Sequence, residues 1–111
     1  MVLNENGTVR LAGIKPEMVA IIPLVEMAYA WVNFPCVITA GTEVFDSKGR
    51  RYHMLKSKHE TGEALDFRTR GLSDSDVDEL YRRVGDLLTP EYQVIRHKGK
   101  FAHMHIEFDP K

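Results

Sequence analysis

Two short stretches of this chain hold most of the side chains able to do chemistry. "SKHETGEALDFR", Ser57 to Arg68, sets His59 and Asp66 seven positions apart around Gly62. "FAHMHIEFDP", Phe101 to Pro110, sets His103 and His105 two apart, with Glu107 beyond them. In an extended strand alternate side chains share a face. His103, His105 and Glu107 therefore point one way, and Ala102, Met104, Ile106 and Phe108 the other, toward an apolar layer. "EALDF" alternates in the same manner and puts Asp66 with Ala64 and Arg68, opposite Leu65 and Phe67. If these two strands lie side by side, one polar face gathers Asp66, His103 and His105, and His59 on the loop leading in folds over it. Imidazoles on such a face need hydrogen-bond partners or a metal. Two imidazoles and a carboxylate suit Zn²⁺, which takes nitrogen and oxygen ligands in near-tetrahedral geometry and keeps its fourth place for water in catalytic sites. Such an ion acidifies that water and polarises a carbonyl. The plainer alternative is a hairpin carrying ordinary surface histidines.

The elements that must position these residues are readable in order. Pro16 suits the first turn of a helix. From Glu17 onward Val19, Ile22, Met27, Ala30 and Trp31 read as its apolar face, with Pro23 kinking or dividing it. "PCVITAG" is a β-branched run ending at Gly41 and reads as a strand. "TEVFDSKGRR" carries a turn at Asp46 to Gly49. Ser73 reads as an N-cap with Asp76 three residues on. The helix after it presents Val77, Leu80, Tyr81, Val84 and Leu88 at helical spacing. "EYQVIRH" and "KFAHMHIEF" form a hairpin turning at Lys98 and Gly99. The expected fold is α+β: a small, mostly antiparallel sheet packed against helices.

Bulk properties narrow the function classes. A chain of 111 residues fits one domain, here taken as 1–111. With 15 Lys and Arg against 16 Asp and Glu, the net charge of −1 gives no reason to expect nucleic acid as partner. One cysteine, Cys36, excludes an internal disulfide, so packing, with or without a metal, must hold the fold. Cys36 itself reads as buried and unreactive. The start, "MVLNENGTVRLAG", lacks the pattern of an export signal. The apolar run "MVAIIPLVEMAYAWVNF" is interrupted by Pro23, Glu26 and Asn33, which argues against membrane insertion.

The two stretches together resemble a known family. Ser57, His59, Gly62, Ala64 and Asp66 match the Ser-x-His-x-x-Gly-x-Ala-x-Asp signature of the zinc D-Ala-D-Ala metallopeptidases, and "HMHIEFDP" resembles their second signature, a His-x-His near the domain end. The resemblance is greatest to small phage and prophage members, in which a Thr-Ser-Gly strand precedes the first signature. Here "TAG" stands at Thr39 to Gly41, and His53 lies ahead of Ser57. The likeness runs from about Pro16 to Pro110. It implies a D-Ala-D-Ala metallopeptidase-like fold with His59, Asp66 and His105 as zinc ligands. It also implies hydrolysis of the peptide stems of bacterial peptidoglycan, of carboxypeptidase or endopeptidase (endolysin) type. His103 corresponds to the first histidine of the family's pair and is the candidate catalytic base and acid. Arg68, Ser57, His53 and Arg51 are the candidate substrate-binding residues.

The chain departs from that pattern at two places. Some relatives place a glutamate base three residues before the last zinc histidine, where this chain has Ala102. Many have an arginine directly after the Thr-Ser-Gly turn, where this chain has Glu43 beyond Thr42. The alternative reading is a non-catalytic phage structural or wall-binding protein that retains the peptidase fold. The resemblance further implies synthesis in the cytoplasm of a bacterial host, with release at lysis or carriage in the virion.

Overall fold

The first helix is apolar almost all round, so its own pattern does not decide how it packs. The computed structural model describes residues 2–4, 9–42, 58–59 and 61–110, the first three by backbone alone. Helix α1, Pro16–Trp31, opens with proline at its start behind an extended Lys15 and has Glu17 in its first turn. It is not divided at Pro23, which is solvent-exposed within a continuous helix. The expected face is also displaced. Met18, Ile21, Val25, Ala28 and Tyr29 are buried, whereas Val19, Met27 and Trp31 are 51, 60 and 64% exposed. Only Glu17 and Glu26 are charged in this helix, so apolar spacing alone does not choose a face. The neighbouring elements choose it.

Helix α2, Asp74–Leu87, behaves as its sequence requires. The Ser73 hydroxyl accepts the amide hydrogen of Asp76 at 3.2 Å, satisfying one otherwise orphaned donor. Asp74 and Asp76 add negative charge at the positive end of the helix. Val77, Leu80 and Val84 are buried, with Tyr81 and Leu88 packed beside them.

Among the described residues five strands make one sheet: β1 Val2–Asn4, β2 Cys36–Ala40, β3 Ala64–Arg68, β4 Tyr92–His97 and β5 His103–Phe108, in the order β1-β2-β3-β5-β4. The last four are antiparallel, and β1 is a short parallel edge strand on β2. The expected α+β class and the β4–β5 hairpin are present. β1 escaped sequence reading because three residues give no alternation. The turn read at Asp46 to Gly49 lies outside the described residues, as do Ser57, His53 and Arg51. Among the described residues no helix is long and apolar enough to cross a membrane.

Both helices cover one face of the sheet. Ile38, Leu65, Phe67, Met104 and Ile106 are fully buried there against Met18, Ile21, Val25, Leu80 and Val84. Each such side chain removed from water contributes about 1.5–3 kcal/mol. Cys36 is part of this layer, and burial pushes its thiol up to about 12. The Tyr29 hydroxyl donates to the Arg68 carbonyl at 2.6 Å and so ties α1 to the end of β3.

Register then arranges the opposite face in rows. β3 and β5 pair Arg68 with His103, Asp66 with His105 and Ala64 with Glu107. β4 continues the same rows with His97, Ile95 and Gln93. The middle row reaches β2, where Ala40 stands opposite Asp66 across an irregularity in the ladder.

Candidate metal centre

Asp66 is the focus of the middle row. It is only 8% exposed, and a carboxylate so placed must be paired. Its Oδ1 lies 3.1 Å from His59 Nε2 and 2.8 Å from His105 Nδ1. The ligand-capable atoms of His59, Asp66 and His105 all lie within 4.8 Å of one another. Donors about 2.0–2.2 Å from a tetrahedral zinc ion stand about 3.3–3.6 Å apart, so this set has the right spacing to hold a metal.

His105 and Asp66 reach the centre because their strands pair directly. His59 reaches it from a tight turn between Lys58 and Glu63. That turn is closed by the Gly62 amide donating to the His59 carbonyl at 3.1 Å and the Glu63 amide to the Lys58 carbonyl at 2.8 Å. The Gly62 carbonyl accepts from the Lys15 amide at 2.9 Å, which joins the turn to the start of α1. Gly62 has φ +81, and a Cβ there would collide with the Gly13 carbonyl, so both conformation and space demand glycine.

Each imidazole has an orienting partner behind it. His59 Nδ1–H donates to the Gly41 carbonyl at 3.0 Å. Gly41 is held in turn against the segment before α1. Thr42 donates its amide to the Arg10 carbonyl at 2.7 Å and its hydroxyl to the Ala12 carbonyl at 2.7 Å. A Cβ on Gly41 would strike the Arg10 carbonyl. His105 Nε2 stands 2.9 Å from Glu107 Oε1. These are the outer partners that set the tautomer and direction of metal-binding histidines.

The donor set itself asks for positive charge. His59 sits between two oxygens, Gly41 O and Asp66 Oδ1, and His105 between two carboxylates. A neutral imidazole has one N–H and satisfies one oxygen, leaving a lone pair facing the other. Either protons or a metal ion must stand between the rings and Asp66. Burial alone would raise the Asp66 carboxyl, but hydrogen bonds from His105 and His59 hold it well below the usual carboxylate range. Burial alone would lower His105, yet its bonds to Asp66 and Glu107 raise it above the ordinary 6.5.

The row beside the centre holds His103 and Arg68. His103 Nδ1–H donates to the Phe101 carbonyl at 2.9 Å, and Nε2 faces Asp66 Oδ2 at 3.6 Å, beyond hydrogen-bond length. His103 thus borders the centre without joining the close set. A cleft of ≈ 290 Å³ opens beside it, with Asp66, His103, Arg68, Arg70, Thr39 and Phe101 among its walls. His97, across the hairpin, lays its ring against His103 with centroids 4.5 Å apart and planes 16° from parallel. The slight desolvation of its ring and the neighbouring His103 lower His97 below its ordinary value.

Four sequence-derived candidates are therefore together: His59, Asp66, His105 and His103, with Arg68 on the same sheet face. Glu107 is not spare for proton transfer; it is committed to His105. Sequence reading missed the Gly41 carbonyl, Arg70, Phe101 and His97. Of these only His97 left a readable signal, its period-two alternation with Ile95 and Gln93 in the hairpin. Comparison with known proteins adds no relative: no family model matches the chain, and no curated protein or solved structure matches it.

Proposed function

We propose that this protein is a zinc-dependent peptidase of D-Ala-D-Ala metallopeptidase type, hydrolysing peptide stems of bacterial peptidoglycan. The observation that carries this reading is the convergence of His59, Asp66 and His105, each imidazole backed by a carbonyl or carboxylate. A two-nitrogen, one-oxygen set favours zinc over magnesium or calcium, which prefer all-oxygen shells. When bound, zinc supplies Lewis acidity toward a carbonyl oxygen and a water made acidic near neutral pH.

The residues around it have separable tasks. His59 and His105 present nitrogen lone pairs, and Asp66 presents charge. Gly41 and Glu107 hold the two rings at the required angle. His103 is the proton carrier: its Nδ1–H is committed to Phe101 O, so its Nε2 lone pair faces Asp66 and the cleft. An imidazole takes and returns protons near pH 7. Arg68 and Arg70 line the cleft, where guanidinium groups suit the carboxylates of an anionic stem peptide.

One observation favours a second reading, a wall-binding protein without turnover. Position 102 is alanine, and the carboxylate of Glu107 is taken up by His105. Digestion decides between them. Zinc-loaded protein incubated with purified peptidoglycan of several stem chemistries is expected to release fragments whose masses identify the cut bond. A protein that holds zinc and pulls down with the wall but releases nothing supports the second reading and overturns the first.

A further inference from the structure

We propose that His97 is a positioning residue for His103: its stacked ring holds the imidazole of His103 in the plane that keeps Nε2 aimed at Asp66 and the cleft. The catalytic half of this inference rests on the peptidase reading above; the stacking half does not.

The geometry leaves His103 in need of such a partner. The terminal torsion of histidine is broad, so packing must select one ring plane. Among the described residues His103 has one close hydrogen bond, Nδ1 to Phe101 O at 2.9 Å. That acceptor belongs to the turn between β4 and β5, and the Phe101 side chain is 69% exposed. The distance from Nε2 to Asp66 Oδ2, 3.6 Å, is too long to fix the ring. By contrast His105 is held at both nitrogens, by Asp66 and by Glu107. His103 lacks that second anchor and has a face contact instead.

Register makes the contact possible. His97 and His103 are directly opposed partners in the antiparallel β4–β5 ladder. Directly opposed side chains in such a pair stand about 4.5–5.5 Å apart at Cβ, close enough for rings to overlap. The observed centroid distance of 4.5 Å and interplanar angle of 16° describe a stacked pair. His97 also meets the ring of His105 edge-on, with centroids 6.3 Å apart. It thus borders both histidines of the last strand without adding a ligand atom to the close set.

The position of the stack supports the same role. His103 lines the cleft beside the metal centre, while His97 lines a second cavity of ≈ 540 Å³ on the other side of the hairpin. The two cavities share Arg70 and Ala102 as walls. The stacked pair therefore places one of its residues at each cavity.

The test uses zinc-loaded full-length protein and two variants, His97→Ala and His97→Phe. His97 is exposed on β4, so both are expected to fold. The first readout is the ring-proton chemical shifts of His103 by NMR, which report an aromatic ring stacked on its face. Alanine is expected to shift them, and phenylalanine to keep them close to wild type. The second readout is stem-peptide hydrolysis. Alanine is expected to lower kcat by about tenfold with KM within about twofold, because a misplaced proton carrier harms the transition state more than binding. Phenylalanine is expected to restore most of kcat. The proposal is overturned if alanine leaves both the His103 shifts and kcat unchanged. It is also overturned if phenylalanine keeps the shifts but not kcat, since the His97 imidazole itself would then be required. Absence of hydrolysis in the wild type overturns the peptidase reading, and the NMR readout then decides by itself whether His97 sets the plane of His103.

Discussion

The two faces of β5 are built from alternating residues of one strand, yet they are held by different physics. Met104 and Ile106 are fully buried against the helices; any shape that fills the same volume satisfies them. His103, His105 and Glu107, between and beside them, are only partly buried. Their constraint is directional: both ring nitrogens of His105 and one of His103 meet one particular oxygen each. Burial is therefore a poor guide to constraint in this sheet. The apolar face should tolerate changes of identity at constant volume. The polar face should fail on changes that leave volume untouched.

Cutting a hole in the apolar face gives the largest expected effect. Phe67→Ala removes a fully buried ring from the middle of β3. It should lower the unfolding free energy in urea by about 3–5 kcal/mol, whereas Met104→Leu should cost less than about 1.5 kcal/mol. The folded fraction of either variant should still take up zinc. Loss of zinc from folded Phe67→Ala protein would show that the two faces are not separable.

Next in size is removal of a proposed ligand from the polar face. His105→Ala should abolish tight zinc binding and with it the zinc-dependent rise in melting temperature. That rise corresponds to about 2.7 kcal/mol when free zinc is a hundredfold above Kd. His103→Ala should keep one zinc ion per chain by metal analysis while losing most hydrolysis. If His103→Ala loses zinc too, the ligand assignment is wrong; if it keeps full activity, another group carries the proton.

A subtler change tests direction without volume. Glu107→Gln keeps the shape of the side chain but replaces a carboxylate by an amide behind His105. Competition with a chelator should report zinc affinity weakened by about 10–100-fold. An unchanged affinity would mean that Glu107 does not act through His105.

The smallest effect should appear on titrating metal-free protein. His105 is raised above 6.5, so its contribution to stability is present below that value and lost as pH rises through its folded-state pKa. Asp66 is lowered, so its contribution is present above the ordinary carboxylate range and lost only as pH falls through its depressed value. The melting temperature of chelated protein should therefore fall as pH is raised above neutrality. Zinc should remove that fall, since a metal held by deprotonated His105 and Asp66 would bind more tightly as protons leave. A chelated protein whose stability is flat from pH 6 to 9 would contradict the pairing of His105 with two carboxylates.

Legibility from sequence followed how strongly each local pattern is asymmetric. Helix α2 was legible to its cap, because Ser73 and the Val77, Leu80, Val84 stripe leave one solution. The face of α1 was not, because exposed Val19, Met27 and Trp31 are as apolar as buried Met18 and Val25. Asp66 and His105 were legible as residue types on strand faces, His59 as a residue of the loop leading in, and their grouping as a resemblance. Of the surroundings only Glu107, on the same face as His105, was legible. The Gly41 carbonyl is a backbone atom, which no residue type marks, and Arg70 and Phe101 lie in turns without periodicity.

What the sequence determined by itself was the side of the strand on which each residue falls, since a period of two leaves no freedom: Leu65 and Phe67 against Asp66, Met104 and Ile106 against His103 and His105. What only the tertiary structure decided was which strand lies beside which and in what register. A ladder can slide by two residues and keep every side chain on its face. The slide is stopped here by long-range contacts: the Asp66–His105 pairing across β3 and β5, the His59 turn joined to Lys15, and the Tyr29 bond to Arg68. The chain sorts polar from apolar locally, but converging His59, Asp66 and His105 on one point requires the turn that carries His59 and the strand that carries His105, 39 positions beyond Asp66, to dock on β3 at once.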